Sequence, residues 1–169
     1  NHMPKDAYRH AVVCVEDFSD FRSRIKDPSV PVIAMQRSKV GTWGLRRRLL
    51  ALFKSQRPTI VHTRNLSGLD ALLPAVLAGV PHRVHSEHGW DVDNLDGAQW
   101  KPALLRRLHS PLVNRYLTVS QDLRRYLVDR VGIAPERVTQ IYNGVDMGRF
   151  APQGRQAMEG MPAGFVVPE

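Results

Sequence analysis

Six apolar runs, none longer than a β-strand, punctuate this chain. They constrain its fold more than any other feature. They cover residues 10–15 (HAVVCV), 30–35 (VPVIAM), 59–63 (TIVHT), 82–88 (HRVHSEH), 115–119 (RYLTV) and 137–142 (RVTQIY). Continuous apolar runs suit strands buried on both faces, as in parallel sheets. Pro31 and Pro58 fall near strand starts, where a missing N–H does least harm. Helix-patterned segments separate the later runs. Strand, helix, strand, helix in succession predicts an α/β fold: a parallel sheet with helices on both faces.

The helices are expected as follows. Residues 41–56 place Leu45, Leu49 and Leu52 on one face, with Arg46, Arg47, Arg48 and Lys54 making the segment basic. Ser67 with Asp70 resembles a capping box. Leu69, Leu72, Leu73, Val76 and Leu77 then follow the stripe of a core-facing helix, which Pro74 should kink and Gly79 and Pro81 should end. Residues 98–113 form a helix with Leu104, Leu105, Leu108 and Leu112 inward and Lys101, Arg106 and Arg107 outward. Ser120 is a good N-cap for residues 121–131, which Gly132 and Pro135 terminate.

A chain of 169 residues suffices for one well-cored domain. No apolar run approaches the roughly 20 residues of a membrane-spanning helix. The start, residues 1–6, is polar and does not read as a secretory leader; it reads as an expression scar or a cut through a longer protein. Cys14 is the only cysteine, which excludes a disulfide framework and a thiolate metal site. A cytoplasmic compartment fits best. The net charge of +8 suggests an anionic partner: nucleic acid, lipid headgroups or a phosphorylated small molecule.

In open α/β sheets, ligands sit beyond the carboxyl ends of the strands. Residues 84–89 (VHSEHG) run from a strand into such an edge. Glu87 offers an anion, His88 a group titrating near neutrality, and Gly89 a close backbone approach. Arg64 and Asn65 end another strand beside a helix N-terminus, a geometry that suits an anionic group. His82, His85 and His88 invite a metal reading, but alternation puts His82 and His88 on one face and His85 with Glu87 on the other. The loop 91–97 lacks the oxygen ligands of a calcium site. Dinucleotide, phosphate-loop and serine-hydrolase motifs are missing, and nucleic-acid binding would rest on charge alone, so no nucleic-acid partner is expected.

Two motifs remain, EHG at 87–89 and YNGVD at 142–146 with Phe150 beyond it, together with TVS at 118–120. In this order and spacing, over residues 58–150, the chain resembles family-4 retaining glycosyltransferases of the GT-B fold. It is most similar to bacterial sugar transferases of exopolysaccharide assembly. The resemblance implies two Rossmann-like domains facing a cleft. The C-terminal one would bind the nucleotide-sugar donor through a basic residue and paired glutamates. The N-terminal one would bind the acceptor and supply a cleft histidine, matched here by His88 as the catalytic residue. Arg64, Asn65, Glu87, Gly89, Ser120, Asn143 and Gly144 are the candidate substrate-binding residues. No metal and no cofactor are implied.

Residues 1–150 then read as the acceptor domain, without its first strand and Gly-rich loop. Residues 151–169 read as a linker and the beginning of a donor domain. The sheet would lack a central strand, and the fragment would be inactive alone. The implied acceptor is a lipid-linked or free saccharide. A lipid-linked acceptor turns the basic helices 41–56 and 98–113 toward an anionic membrane surface, with Trp43 and Phe53 as apolar contacts. Taken alone, helix 41–56 reads instead as an ordinary crossover helix with a solvated basic face. The alternative to an enzyme is a non-catalytic Rossmann-like module that binds an anionic partner, and a third reading is a metal-dependent hydrolase.

Overall fold

A computed structural model describes residues 7–90 and 99–145. The loop 91–97, Asp146, Phe150 and the segment 151–169 lie outside the described residues. The strands are β1 (Val12–Cys14), β2 (Val32–Ala34), β3 (Ile60–Arg64), β4 (His82–Glu87), β5 (Arg115–Thr118) and β6 (Val138–Gln140). The helices are α1 (Arg37–Gln56), α2 (Asn65–Gly68), α3 (Leu72–Leu77), α4 (Trp100–His109) and α5 (Gln121–Arg125). A wider turn, Tyr126–Val131, continues α5.

All pairings among the described strands are parallel, and helices lie on both sides of the sheet, as the alternation of runs predicts. The strands nevertheless fall into two sheets. β1 pairs with β2, and β3-β4-β5-β6 form the larger sheet in that order. One apolar cluster holds the two together: Met35, Leu45, Leu49, Phe53, Val61, Ala75 and Val80, with Val13, Val15 and Ile33 packed on it. A second cluster fills the larger sheet beneath α5, with Tyr116, Leu127, Val131 and Val138 at its centre. Cover over the larger sheet is unequal. Along β3, Val61 and Thr63 are buried, while Ile60, His62 and Arg64 are exposed on the other face.

Several expectations about the helices are corrected. α1 begins at Arg37 rather than Gly41, and Gly41 interrupts it with φ 66 and ψ 176. The Glu16 carboxylate accepts from the Ser38 N–H and hydroxyl at 3.0 and 2.9 Å, which satisfies the early start with a negative group at a helix N-terminus. Phe53 is buried, so it is no membrane contact. The Ser67–Asp70 capping box does not form, because helix begins at Asn65. Asp70 instead pairs with Arg46 at 2.8 Å and Arg37 at 3.5 Å.

A 3₁₀ turn, Leu69–Ala71, precedes α3. Its three residues per turn put Leu69, Leu72 and Ala75 inward at spacings of three and leave Leu73, Val76 and Leu77 exposed. Pro74 sits in the first turn of α3, where its missing N–H costs nothing, so the break in the helix falls before it.

α4 is rotated relative to its expected face. Pro102 and Arg106 are buried, whereas Leu104, Leu105 and Leu108 are exposed. The cause is Glu87, buried at the end of β4 and paired with Arg106. A buried ion pair that loses one partner costs about 3–5 kcal/mol. Half-exposing a leucine forfeits on the order of 1 kcal/mol, about 3 kcal/mol for Leu104, Leu105 and Leu108 together, which does not exceed the ion-pair cost. The charge pairing therefore sets the rotation of the helix.

Candidate functional site

Parallel pairing brings every strand's carboxyl end to one edge. Arg64 lies opposite Ser86, Glu87 opposite Thr118, and Thr118 opposite Gln140. Arg64, Asn65, His88, Gly89, Ser120, Asn143 and Gly144 all sit at or just beyond these ends. Adjacent strands are about 4.8 Å apart, so Ser120 lies one strand from His88 and Asn143 two. A Cβ added at Gly89 or Gly144 would meet nothing within 4 Å, which leaves open space at the edge.

The end of β4 is polar yet closed off: His85, Ser86 and Glu87 are all buried. Their alternation sends them into two separate networks. On the α4 side, His85 Nδ1 lies 2.7 Å from the Thr63 hydroxyl and Nε2 lies 3.2 Å from Glu87 Oε1. Arg106 donates to the same carboxylate from Nε at 2.6 Å and from Nη2 at 3.1 Å. Tyr116 packs edge-on against His85 at 5.8 Å, and burial pushes its phenol up to about 12. Burial would raise the Glu87 carboxyl, but hydrogen bonds from His85 and Arg106 outweigh it and hold the group below its ordinary value. Glu87 was expected to touch substrate. Both its oxygens are taken and it is buried, so it organises the edge from behind instead.

On the opposite face, His88 stands at the end of β4. Its backbone N–H donates to Asn65 Oδ1 at 2.9 Å. Asn65 adopts φ 51, a left-handed value that asparagine tolerates better than most residues. Its side-chain oxygen is thereby committed to holding His88. His88 Nε2 lies 2.9 Å from the Ser86 hydroxyl, and His62 Nε2 lies 2.9 Å from the same oxygen. Partial burial of the ring lowers both imidazoles, that of His62 although the residue as a whole stays exposed, and the Arg64 guanidinium lowers both further. Both rings are therefore neutral at neutral pH. Ser120 caps α5 by accepting from the Leu123 N–H at 3.2 Å, so its hydroxyl is engaged in the helix start. Asn143 and Gly144 are exposed.

Arg106, Thr63, Ser86 and His62 were not foreseen as site residues. The available signal was Glu87 itself: a carboxylate on the inner face of a buried strand requires a cation. Among the described residues, no three His, Cys, Asp or Glu side chains gather as a metal site would need. The arrangement suits binding of a polar, anionic ligand. A neutral imidazole donates one hydrogen bond, an exposed arginine supplies charge, and the strand ends are open.

Residues 1–149 match Glycosyltransferase Family 4. The chain belongs to that family. Among curated relatives of this family-4 chain, a UDP-Gal:alpha-D-GlcNAc-diphosphoundecaprenol alpha-1,3-galactosyltransferase of Escherichia coli is 24% identical over 158 residues, 89% of the chain and 40% of the relative. The putative glycosyltransferase EpsF of Bacillus subtilis is 36% identical over 104 residues, 58% of the chain and 26% of the relative. The chain thus spans less than half the length of the curated relatives it matches. Anabaena HepE, solved in complex with UDP-glucose, superposes with a TM-score of 0.60 at 16% identity, over 82% of this chain and 37% of that one. That likeness shows that this family-4 chain shares the fold.

Proposed function

We propose that this chain is the acceptor-side part of a retaining, nucleotide-sugar-dependent glycosyltransferase in cell-surface or exopolysaccharide assembly. The observation that carries this reading is His88, held at an open strand edge by Asn65 and Ser86 with Arg64 nearby. Its imidazole would hydrogen-bond a sugar hydroxyl or the charge developing on a departing phosphate. Residues 1–150 would form the acceptor domain. The donor would be held mainly by a second domain, of which residues 151–169 would be the linker and the beginning. Family membership and the relatives' named activities support sugar transfer, and HepE's bound UDP-glucose supports a nucleotide-sugar donor.

The lipid-linked acceptor named for the Escherichia coli relative supports an acceptor of that kind here. It also supports a peripheral position on the inner face of the membrane. The membrane-facing element would be α4, with Trp100, Leu104 and Leu108 exposed four residues apart and Lys101 and Arg107 exposed beside them. Arg46 and Arg106 are excluded from that role, since both are given to internal carboxylates.

The test is kinetic. In the complete enzyme, His88→Ala should lower kcat by about 10²-fold or more. A variant with the wild-type rate would remove His88 from the chemistry.

A further inference from the structure

Ser86 is buried and carries one hydroxyl proton, yet an imidazole approaches it from each side at 2.9 Å. The remaining neighbour, the Thr63 carbonyl, is 3.4 Å away and accepts only weakly. The hydroxyl proton therefore belongs to one of the two rings. Two neutral imidazoles sharing one hydroxyl must then take opposite roles: one accepts at Nε2, and the other donates from Nε2. The tautomer of His88 is tied to that of His62, three residues into the neighbouring strand and exposed on the same face.

We propose that His62 and Ser86 are positioning residues that fix the tautomer of His88, with the chain His62 Nε2–H → Ser86 Oγ–H → His88 Nε2 leaving Nδ1–H to face the cleft. The direction rests on the glycosyltransferase reading above. A phosphate oxygen only accepts hydrogen bonds, so a histidine serving it must donate outward. Nδ1 has no hydrogen-bond partner among the described residues. Asn65 fixes the backbone at His88, so the ring keeps its inner nitrogen on Ser86. The arrangement does for His88 what a carboxylate does for a catalytic histidine, with a serine and a second imidazole in its place.

The test reads the tautomer directly, from imidazole ¹⁵N shifts and two-bond couplings of the full chain at about pH 8, above the ordinary imidazole range. Expected in the wild type is His88 in the Nδ1–H form and His62 in the Nε2–H form. Two substitutions at exposed position 62 then set the relay by chemistry alone. In His62→Lys the group can only donate, and His88 should stay Nδ1–H. In His62→Glu the group can only accept, so it claims the hydroxyl proton and His88 should switch to Nε2–H. Ser86→Ala should leave His88 a mixture whatever stands at position 62. His88 in the Nε2–H form in the wild type, or one tautomer shared by both position-62 variants, would overturn the proposal. A wild-type rate for His88→Ala would instead remove the glycosyltransferase role and leave the tautomer coupling intact.

Discussion

At the scale of single residues, Arg106 is the hinge between sequence and site. Arg106→Met should destabilise the chain by about 3–5 kcal/mol, because Glu87 would stay buried without its cation. Adding Glu87→Gln should restore part of that loss; urea denaturation of the single and double variants measures it. The Glu87 carboxyl is depressed below 4.5, so its contribution is present above that value and is lost as pH falls through the folded value. Acid unfolding of Glu87→Gln should accordingly be less steep. His62 and His88 act in the same direction in a higher window. Both are depressed below 6.5, so the unfolded chain binds more protons there, and stability should begin to fall as pH drops below 6.5. A stability profile flat from pH 7 to 5 would contradict this. The placement of His88, Arg64 and Asn65 at strand ends was legible in the sequence because they close or follow strand-like runs. Arg106 was not: next to Leu104, Leu105 and Leu108, its charge reads as solvent-facing until the burial of Glu87 is known.

At the scale of elements, the strands were easier to place than the helix faces. A strand's period of two survives small errors in its ends: β4 to β6 fall within their expected runs, and β3 overruns its own by one residue, Arg64. A helix face depends on continuous phase. The 3₁₀ turn at Leu69–Ala71 resets that phase before α3, and one ion pair sets it in α4. The break in α1 gives a further prediction. Gly41, at φ 66 and ψ 176, occupies a region essentially reserved for glycine. Gly41→Ala should cost about 1–3 kcal/mol although open space surrounds the position. A thermal shift within error of wild type would mean that the helix simply restarts there without strain.

At the scale of the whole molecule, the outward faces of α3 and α4 are unusually apolar. Leu77, Trp100 and Leu108 are 61%, 66% and 65% exposed. If α4 meets a membrane, the chain should co-sediment with anionic vesicles at low salt and much less at high salt, and Leu104→Glu with Leu108→Glu should abolish binding. Equal binding to neutral and anionic vesicles would leave Lys101 and Arg107 as ordinary solvated charges.

The division of the strands into two sheets also governs how the molecule comes apart. Among the described residues, β1 and β2 pair with no strand of the larger sheet and are tied to the rest through the cluster around Leu45, Leu49 and Phe53 and a few hydrogen bonds to α1, such as Glu16–Ser38 and Arg48 to the Met35 carbonyl, while β4 and β5 are bonded on both sides within the larger sheet. Amides of β1 and β2 should exchange with solvent through a partial opening that leaves β4 and β5 protected. Ser86 lies in β4 and His88 just beyond it, with that protected unit, whereas His62 lies on the edge strand β3. The edge they form would outlast the loosening of the smaller sheet, so its chemistry and the chain's first unfolding step are separable events.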